Sequence, residues 1–233
     1  MIRISQYRLA FLALALFILS NASLAASKPH VVALGKWTSV QWFPEGNAAE
    51  KPVAMKVRPL LVDARIKEFA FGPVHDVTDR LFVVRRAFRV NDNLPEDDAA
   101  PHWQWQRSGW LLVDRVSGHI SPLNLPEFDA FYSGVSWYRD YAAYCGVSED
   151  GKKIYAIVAQ ISRRKPVVKK PLEGETWNEE QNAVPESACP APTWQRAPVR
   201  VSFVAPGIAK QTFSIHGHVV DVVSEENDEE AEK

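Results

Sequence analysis

Residues 137–161, WYRDYAAYCGVSEDGKKIYAIVAQI, carry the local pattern that most restricts the fold of this chain. An aromatic-rich run leads into a polar segment with Asp150 and Gly151, and a run rich in β-branched residues begins at Ile154. Asp-Gly between two such runs is the strongest short-range signal of a β-hairpin, because a type I′ turn needs positive φ at both central residues. The stretch therefore predicts two antiparallel strands joined by a tight turn at residues 149–152.

Residues 147–156, V-S-E-D-G-K-K-I-Y-A, form the turn of that hairpin and the start of its second strand. This sequence resembles the S-P-D-G-K hairpin that recurs in the blades of WD40-like and TolB-type β-propellers. Glu149 stands where that pattern has proline. The resemblance is confined to this segment and implies a blade-like hairpin. No family is recognised over the whole chain.

Two of the strand-like runs, residues 80–90 and 154–161, are apolar on both alternating faces. A strand at the surface would alternate apolar with polar residues, so we predict that these two strands lie between sheets. In the first run, one face carries Phe82, Val84 and Phe88 and the other carries Leu81, Val83 and Ala87.

Strand-like runs and turns recur in three similar layouts along the chain. The words Gly-Trp-Leu-Leu-Val-Asp at 109–114 also match Arg-Pro-Leu-Leu-Val-Asp at 58–63. A small meander cannot bury its own faces, so such units must pack on one another. We therefore predict one all-β domain, residues 26–223, of about three antiparallel four-stranded meander units in propeller-like or sandwich-like packing. The predicted units are residues 30–72, 73–125 and 137–218.

Pro59 lies inside the predicted strand 55–62, which a turn at 63–65 connects to a return strand at 66–72. Proline has no N–H to donate to a neighbouring strand. We therefore predict that this strand is at the edge of its sheet or carries a bulge at Pro59.

The first 25 residues have the layout of a cleaved export signal. Arg3 and Arg8 precede an apolar core at 9–19, and a small-x-small cleavage site ends at Ala25. An uncleaved anchor is the weaker alternative, because the apolar core is shorter than the roughly 20 residues that cross a bilayer. We predict a periplasmic or secreted protein that begins at Ala26 and has no transmembrane segment after cleavage.

The 27 basic and 28 acidic residues give a net charge of −1, and six of the acids lie in the tail 224–233. That tail, SEENDEEAEK, has nothing to bury, and we predict that it is disordered. The remaining body is close to neutral, so the charge offers no argument for a nucleic-acid partner. The oligomeric state is left open.

Cys145 and Cys189 are the two cysteines of the chain. Because thiols oxidise in the exported compartment, we predict that they form a disulfide. Closing the loop between them stabilises the fold by roughly 4 kcal/mol in the chain-entropy treatment. A catalytic Cys145 thiolate is the weaker alternative, since no neighbouring histidine or helix N-terminus is offered to lower its pKa.

Trp103, Trp105 and Arg107 fall on one side of an extended chain, within the run HWQWQR. Flat aromatic faces beside a guanidinium could stack on a sugar or an aromatic ligand. The favoured alternative is that the tryptophans cover the end of the core, because large aromatic side chains contribute most through burial.

Three histidines stand in patterns that could carry chemistry. His216 and His218 share a strand face and could hold a metal with a distant carboxylate, but spacing specifies no third ligand, so a solvated strand end is favoured. His75, in the run HDVTD, could act as an acid or base beside Asp76 or Asp79; ordinary turn chemistry is favoured there.

Arg85, Arg86 and Arg89 interrupt an otherwise apolar strand. Arg85 and Arg89 fall on one face by alternation and could bridge an anion. Pairing with carboxylates of a neighbouring strand is the favoured interpretation.

The sequence favours a non-catalytic, exported β-scaffold that binds a protein or a cell-envelope component through its loops. One alternative is a secreted hydrolase or lyase that acts on a polysaccharide with scattered carboxylates. Another is a metal-binding module. No pattern predicts a cofactor. The carboxylates considered for catalysis are Asp76, Asp79, Asp114 and Asp140.

Overall fold

The computed structural model describes residues 29–43, 51–91, 103–172, 189–205, 209–216 and 219–223. Within these ranges the chain forms 15 strands and no helix, so the all-β prediction is confirmed. No helix there is long and apolar enough to cross a membrane. The predicted export segment and the acidic tail lie outside the described residues.

The first seven strands form one sheet, here called sheet I, in the order β1-β3-β2-β6-β5-β4, and β7 also pairs with β6. β3 also pairs with β4, and a single parallel pair, Trp42 with Trp105, connects β2 to β6. The strands of sheet I are β1 Val32–Leu34, β2 Thr38–Trp42, β3 Val53–Val62, β4 Arg65–Asp76, β5 Leu81–Asn91, β6 Trp103–Asp114 and β7 Ile120–Leu123.

The other eight strands form two antiparallel meanders, sheet II and sheet III, in which each strand pairs with the next along the chain. Sheet II consists of β8 Val135–Tyr138, β9 Tyr141–Val147, β10 Ile154–Gln160 and β11 Val168–Pro171. Sheet III consists of β12 Thr193–Arg196, β13 Val199–Phe203, β14 Gln211–His216 and β15 Val219–Val223.

The hairpin predicted around Asp150-Gly151 is confirmed as β9 and β10, but its turn is wider than a type I′ turn. Val147 and Ile154 are the last paired residues, and Ser148 N donates to Lys153 O at 2.9 Å. Gly151 has a φ of 69°. Ser148 Oγ accepts from Lys153 N at 2.9 Å. This side-chain bond stabilises the wider turn, which does not need the second residue with positive φ that a type I′ turn requires.

Sheet II is buried on both faces because it lies between the other two sheets. Cys145, Ala156 and Val158 of sheet II belong to one core cluster with Val201, Phe203 and Phe213 of sheet III. Tyr144 and Ile157, on the opposite face, belong to another with Val83 and Trp110 of sheet I. The prediction that residues 154–161 lie between sheets is therefore confirmed. For residues 80–90 it is confirmed on one face alone, because Phe82 and Val84 on the other face pack against Leu60 and Leu111 within sheet I.

The sheets do not follow the three predicted repeat units. Units 30–72 and 73–125 share sheet I, because β4 pairs with β5 and β2 pairs with β6. Unit 137–218 contributes strands to both sheet II and sheet III. The three-unit meander repeat is thus not confirmed by the described pairings.

The strand that contains Pro59 is not an edge strand. β3 pairs with β1, β2 and β4, and its register against β4 shifts between Leu60 and Leu61. The carbonyl of Pro59 still accepts from Gly35 N at 2.8 Å. The edge alternative is therefore wrong, and the bulge lies in β4, where Lys67 is the extra residue, and not at Pro59.

Cys145 and Cys189 form the predicted disulfide, with their Cα atoms 6.2 Å apart and both side chains buried. Backbone bonds hold the same place, since Cys189 N donates to Tyr132 O at 2.9 Å and Gly134 N donates to Cys189 O at 3.1 Å. The segment before sheet III is thereby fastened to β9 of sheet II.

Candidate functional site

A cleft of about 380 Å³ opens on sheet I where β3, β4 and β6 approach the segment before β2. Its lining includes Trp37, Lys56, Phe71, Gly72 and Arg107. Gly72 has a φ of 71° and falls where the register of β4 against β5 shifts, between Phe71 and His75. Glycine tolerates this left-handed conformation, and the resulting bulge bends β4 beside the cleft.

Arg107 is the half-buried cation of the cleft. Its guanidinium carbon lies 3.6 Å from the centroid of the buried Trp42 ring and 5.5 Å from that of Phe71. Its Nε is buried and has no hydrogen-bond acceptor within the described part of the chain. Burial lowers the pKa of this guanidinium, since the charged form loses hydration. Among the described residues, the contacts that hold the Arg107 guanidinium are these cation–π contacts.

Arg85 places a second guanidinium beside the ring of Phe71, which Arg107 also contacts. Its guanidinium carbon lies 5.1 Å from the Phe71 centroid, and its Nη2 donates to Ala130 O. Burial, followed by the charge of Arg107, lowers the pKa of Arg85 to about 10, and Asp129 offsets this only in part. Two cations near one ring make this part of sheet I electropositive, and an anion bound there would relieve their repulsion.

Arg58 supplies a third half-buried guanidinium, on β3. It lies over the ring of Trp37, with its guanidinium carbon 4.2 Å from the ring centroid. Its Nε is buried without an acceptor among the described residues, and burial lowers its pKa. Trp37 itself is 47% exposed, so the indole keeps surface for a ligand.

The predicted cluster of Trp103, Trp105 and Arg107 is divided by the structure. The guanidinium carbon of Arg89 lies 5.6 Å from both tryptophan centroids, so these two rings flank Arg89. Trp105 also packs edge-on against Phe69 at 5.1 Å, whereas Trp103 is 55% exposed. Only Arg107 lines the cleft, and the two tryptophans form an aromatic surface on the same strand.

The structure places Arg85 and Arg89 of β5 against different aromatic rings. Arg85 lies over Phe71 and Arg89 lies over the two tryptophans, on either side of the register shift between Arg85 and Ala87. Pairing with a neighbouring carboxylate, the favoured interpretation, holds for Arg86, whose Nε donates to Glu68 at 2.9 Å.

His75 lies between sheets I and II. Its Nε2 is 2.7 Å from the carbonyl of Arg139, and its ring stacks on Trp137 with centroids 5.6 Å apart. Asp76, the proposed partner in acid–base chemistry, instead accepts from Arg115. None of the described contacts of His75 involves the cleft.

The carboxylates considered for catalysis mostly serve turns and ion pairs. Asp114 accepts from Arg80 Nε at 2.9 Å and from Val116 N at 2.8 Å, and these bonds hold its pKa far below its usual range. Asp140 accepts from Gln160 Nε2 at 2.8 Å. A general acid needs a raised pKa, so Asp114 is poorly suited to that role.

Metal ligands do not converge within the described residues, where no group of three or more His, Cys, Asp or Glu could hold a metal ion. His218 lies outside the described part of the chain, and His216 is the last residue of β14. The metal-binding alternative stays a prediction.

Four residues of the site were missed by the sequence analysis: Trp37, Lys56, Arg58 and Phe71. The register that pairs Thr38 with Val57, and Val57 with Phe71, brings their strands together. The local sequence contains one signal for the site, because Arg58 stands in an apolar run with no neighbouring acidic residue to pair with.

Comparisons with known proteins offer no relative from which a function could be transferred. No family profile matches the chain, and searches of characterised proteins and of solved structures found no significant similarity.

Proposed function

We propose that this protein is an exported, non-catalytic binding protein that holds a protein or cell-envelope ligand on sheet I. The observation that carries the proposal is the half-buried Arg107, which lines a cleft and lacks an acceptor for its Nε among the described residues. Leaving a charge partly buried and unpaired costs free energy, and such features concentrate where a ligand completes the pairing.

The placement of the carboxylates supports binding over turnover. Asp76 and Asp114 are engaged with Arg115 and Arg80 at the turns of sheet I. Neither residue lines the cleft. Two carboxylates that act as acid and base would instead face each other across a substrate.

Export and a propeller-like architecture are parts of the same proposal. The signal-like first 25 residues and the buried Cys145–Cys189 disulfide support an oxidising compartment. The burial of sheet II between two neighbours supports blade-like stacking of the sheets.

Site-specific photocrosslinking in native envelope tests the proposal. A photoreactive residue replaces Trp103, which is 55% exposed beside the cleft strand, and a matched control replaces Ile66, which is 57% exposed at the start of β4. We expect one stoichiometric adduct from position 103 and none from position 66. The same adducts from both positions, or none from position 103, would contradict a binding surface on this part of sheet I.

A further inference from the structure

We infer that the cleft on sheet I binds a carboxylate carried on a six-membered ring, the chemistry of an acidic sugar or an aromatic acid. This inference rests on the proposed binding function and names the ligand class of that site.

The charge of the cleft calls for an anion. Lys56 and Arg107 are its two cations, and no aspartate or glutamate is among the described residues that line it. Arg85, whose guanidinium shares the Phe71 ring with Arg107, adds a third positive charge nearby. A ligand without negative charge would leave this repulsion in place.

The planar fork of Arg107 fits a carboxylate. A guanidinium offers parallel N–H donors that match the two oxygens of a carboxylate, and Arg107 lines the cleft. The aromatic ring of Trp42 behind it, 3.6 Å from the guanidinium carbon, fixes the plane of the fork. Lys56, on β3, is exposed and can add a point charge to the same anion.

The remaining wall of the cleft is apolar and flat. Trp37 is 47% exposed although Arg58 lies over its ring, so part of the indole surface is accessible to a ligand. Met55, Phe71 and Pro73 also line the cleft. Aromatic faces of this kind stack on other rings and on the C–H face of a sugar.

The size of the cleft favours a small ring over a long segment. Its volume of about 380 Å³ is near the lower end of ligand sites, which run from about 300 to 1,000 Å³. One ring with its carboxylate, free or at the end of a polymer, is the occupant that the cations and the indole can contact together.

Binding measurements on the whole mature chain test the inference. The probes are glucuronate and benzoate, each compared with an uncharged counterpart, glucose and benzyl alcohol, and inorganic phosphate is a further anion. Affinity is measured by calorimetry for the wild type and for Arg107→Gln, Trp37→Ala and Arg89→Gln. Arg89 is the matched control, because it also lies over tryptophans but does not line the cleft.

We expect at least one ring carboxylate to bind roughly tenfold or more tightly than its counterpart, and Arg107→Gln to remove that difference, because the charge-assisted bond is lost. Trp37→Ala should weaken binding several-fold, and Arg89→Gln should leave it within about twofold. If glucuronate alone binds, the source is an acidic sugar; if benzoate alone binds, it is an aromatic acid.

Three results would overturn the inference: no ring carboxylate binding better than its counterpart, full affinity in Arg107→Gln, or phosphate binding more tightly than both carboxylates. Circular dichroism identifies a variant that fails to fold, in which case Lys56→Gln, at an exposed position, replaces Arg107→Gln and should weaken carboxylate binding. The position-103 crosslink is the separate readout for the binding function. An adduct that persists while no ring carboxylate binds would overturn the ligand class and leave the binding function standing.

Discussion

Two regions of the molecule differ in what they bury. The interface between sheets II and III buries apolar side chains, whereas the cleft of sheet I contains a half-buried charge. The interface is apolar, with Phe203 and Phe213 in edge-to-face contact at 5.7 Å and a disulfide at Cys145. The cleft is lined by the half-buried Arg107, which lies on the ring of Trp42, and Arg58 and Arg85 lie on other aromatic rings nearby. Burial of apolar groups stabilises a fold, whereas burial of an unpaired cation opposes it. Apolar burial therefore stabilises the interface between sheets II and III, whereas the proposed binding cleft of sheet I contains a half-buried charge that opposes folding.

The first prediction, with the largest effect, concerns the disulfide. Replacing Cys145 and Cys189 together by alanine should lower the free energy of unfolding by about 4 kcal/mol, because the open chain gains the entropy of the 44-residue loop. Urea unfolding of the wild type and of the double variant gives this value. Unfolding of the reduced wild type is the control, and it should match the variant to within about 1 kcal/mol. A loss below about 1 kcal/mol would show that the stability of the interface between sheets II and III does not depend on the disulfide.

A second, smaller effect is expected at the interface between sheets I and II. Tyr144 is fully buried, and its hydroxyl donates to Pro126 O at 2.7 Å. Tyr144→Phe keeps the ring against Phe128 but leaves that carbonyl without its donor, so the free energy of unfolding should fall by about 1 kcal/mol. Tyr155→Phe, at a half-buried position on the neighbouring strand, is the control and should change stability less. Equal losses in the two variants would show that the hydrogen bond is not the cause.

Much of the fold could be predicted because its signals are local. The turn at Asp150-Gly151 and the apolar alternation of residues 154–161 both act within one hairpin. The grouping of strands into sheets could not be predicted in the same way. The joining of β2 to β6 depends on one pair, Trp42 with Trp105, that is 63 residues apart in the sequence. No local pattern specifies such a contact, because its free energy depends on the entropy of loop closure and on packing between distant residues.

The candidate site was predictable only where one strand carries it. Arg107 was found because it follows two tryptophans on a single extended run. Trp37 and Phe71 reach the same cleft from other strands, and the register of β3 against β2 and β4 decides their position. The partner of Trp103 and Trp105 is likewise an arginine of β5, Arg89, which only strand pairing brings between them.

The third prediction compares two arginines of sheet I, Arg107 in the cleft and Arg86 in an ion pair. Arg107→Met keeps the length and packing of the side chain but removes both a half-buried charge with no carboxylate partner among the described residues and its cation–π contacts. These effects oppose each other, so the free energy of unfolding should change by less than about 1 kcal/mol. Arg86→Met removes a cation that is paired with Glu68 at 2.9 Å and should lower it by about 0.2–1 kcal/mol. Urea unfolding under identical salt measures both. A clear loss in Arg107→Met would show that the cleft arginine stabilises the fold, which would contradict its assignment to ligand binding.

The fourth prediction concerns a paired arginine of sheet I, whose effect depends on pH. Bonds from Arg80 and from the backbone of Val116 hold the pKa of Asp114 below its usual range. The unfolded chain, in which this carboxyl titrates near pH 4, therefore binds more protons in that region, so stability rises with pH. The contribution of Asp114 is present above the unfolded pKa and is lost as pH falls toward the lower pKa of the folded state.

Asp114→Asn should accordingly lower the Tm at pH 7, and the difference from the wild type should shrink as the pH falls below about 4. Thermal unfolding from pH 7 to pH 3 measures this difference. Asp79→Asn is the control, because the described hydrogen bond of Asp79 uses its backbone carbonyl, so its effect should stay nearly constant across the range. A Tm difference in Asp114→Asn that does not vary with pH would mean that the ion pair with Arg80 adds nothing to stability. Paired and unpaired arginines of sheet I would then be energetically alike, and the lack of a carboxylate beside Arg107 would lose its significance for binding.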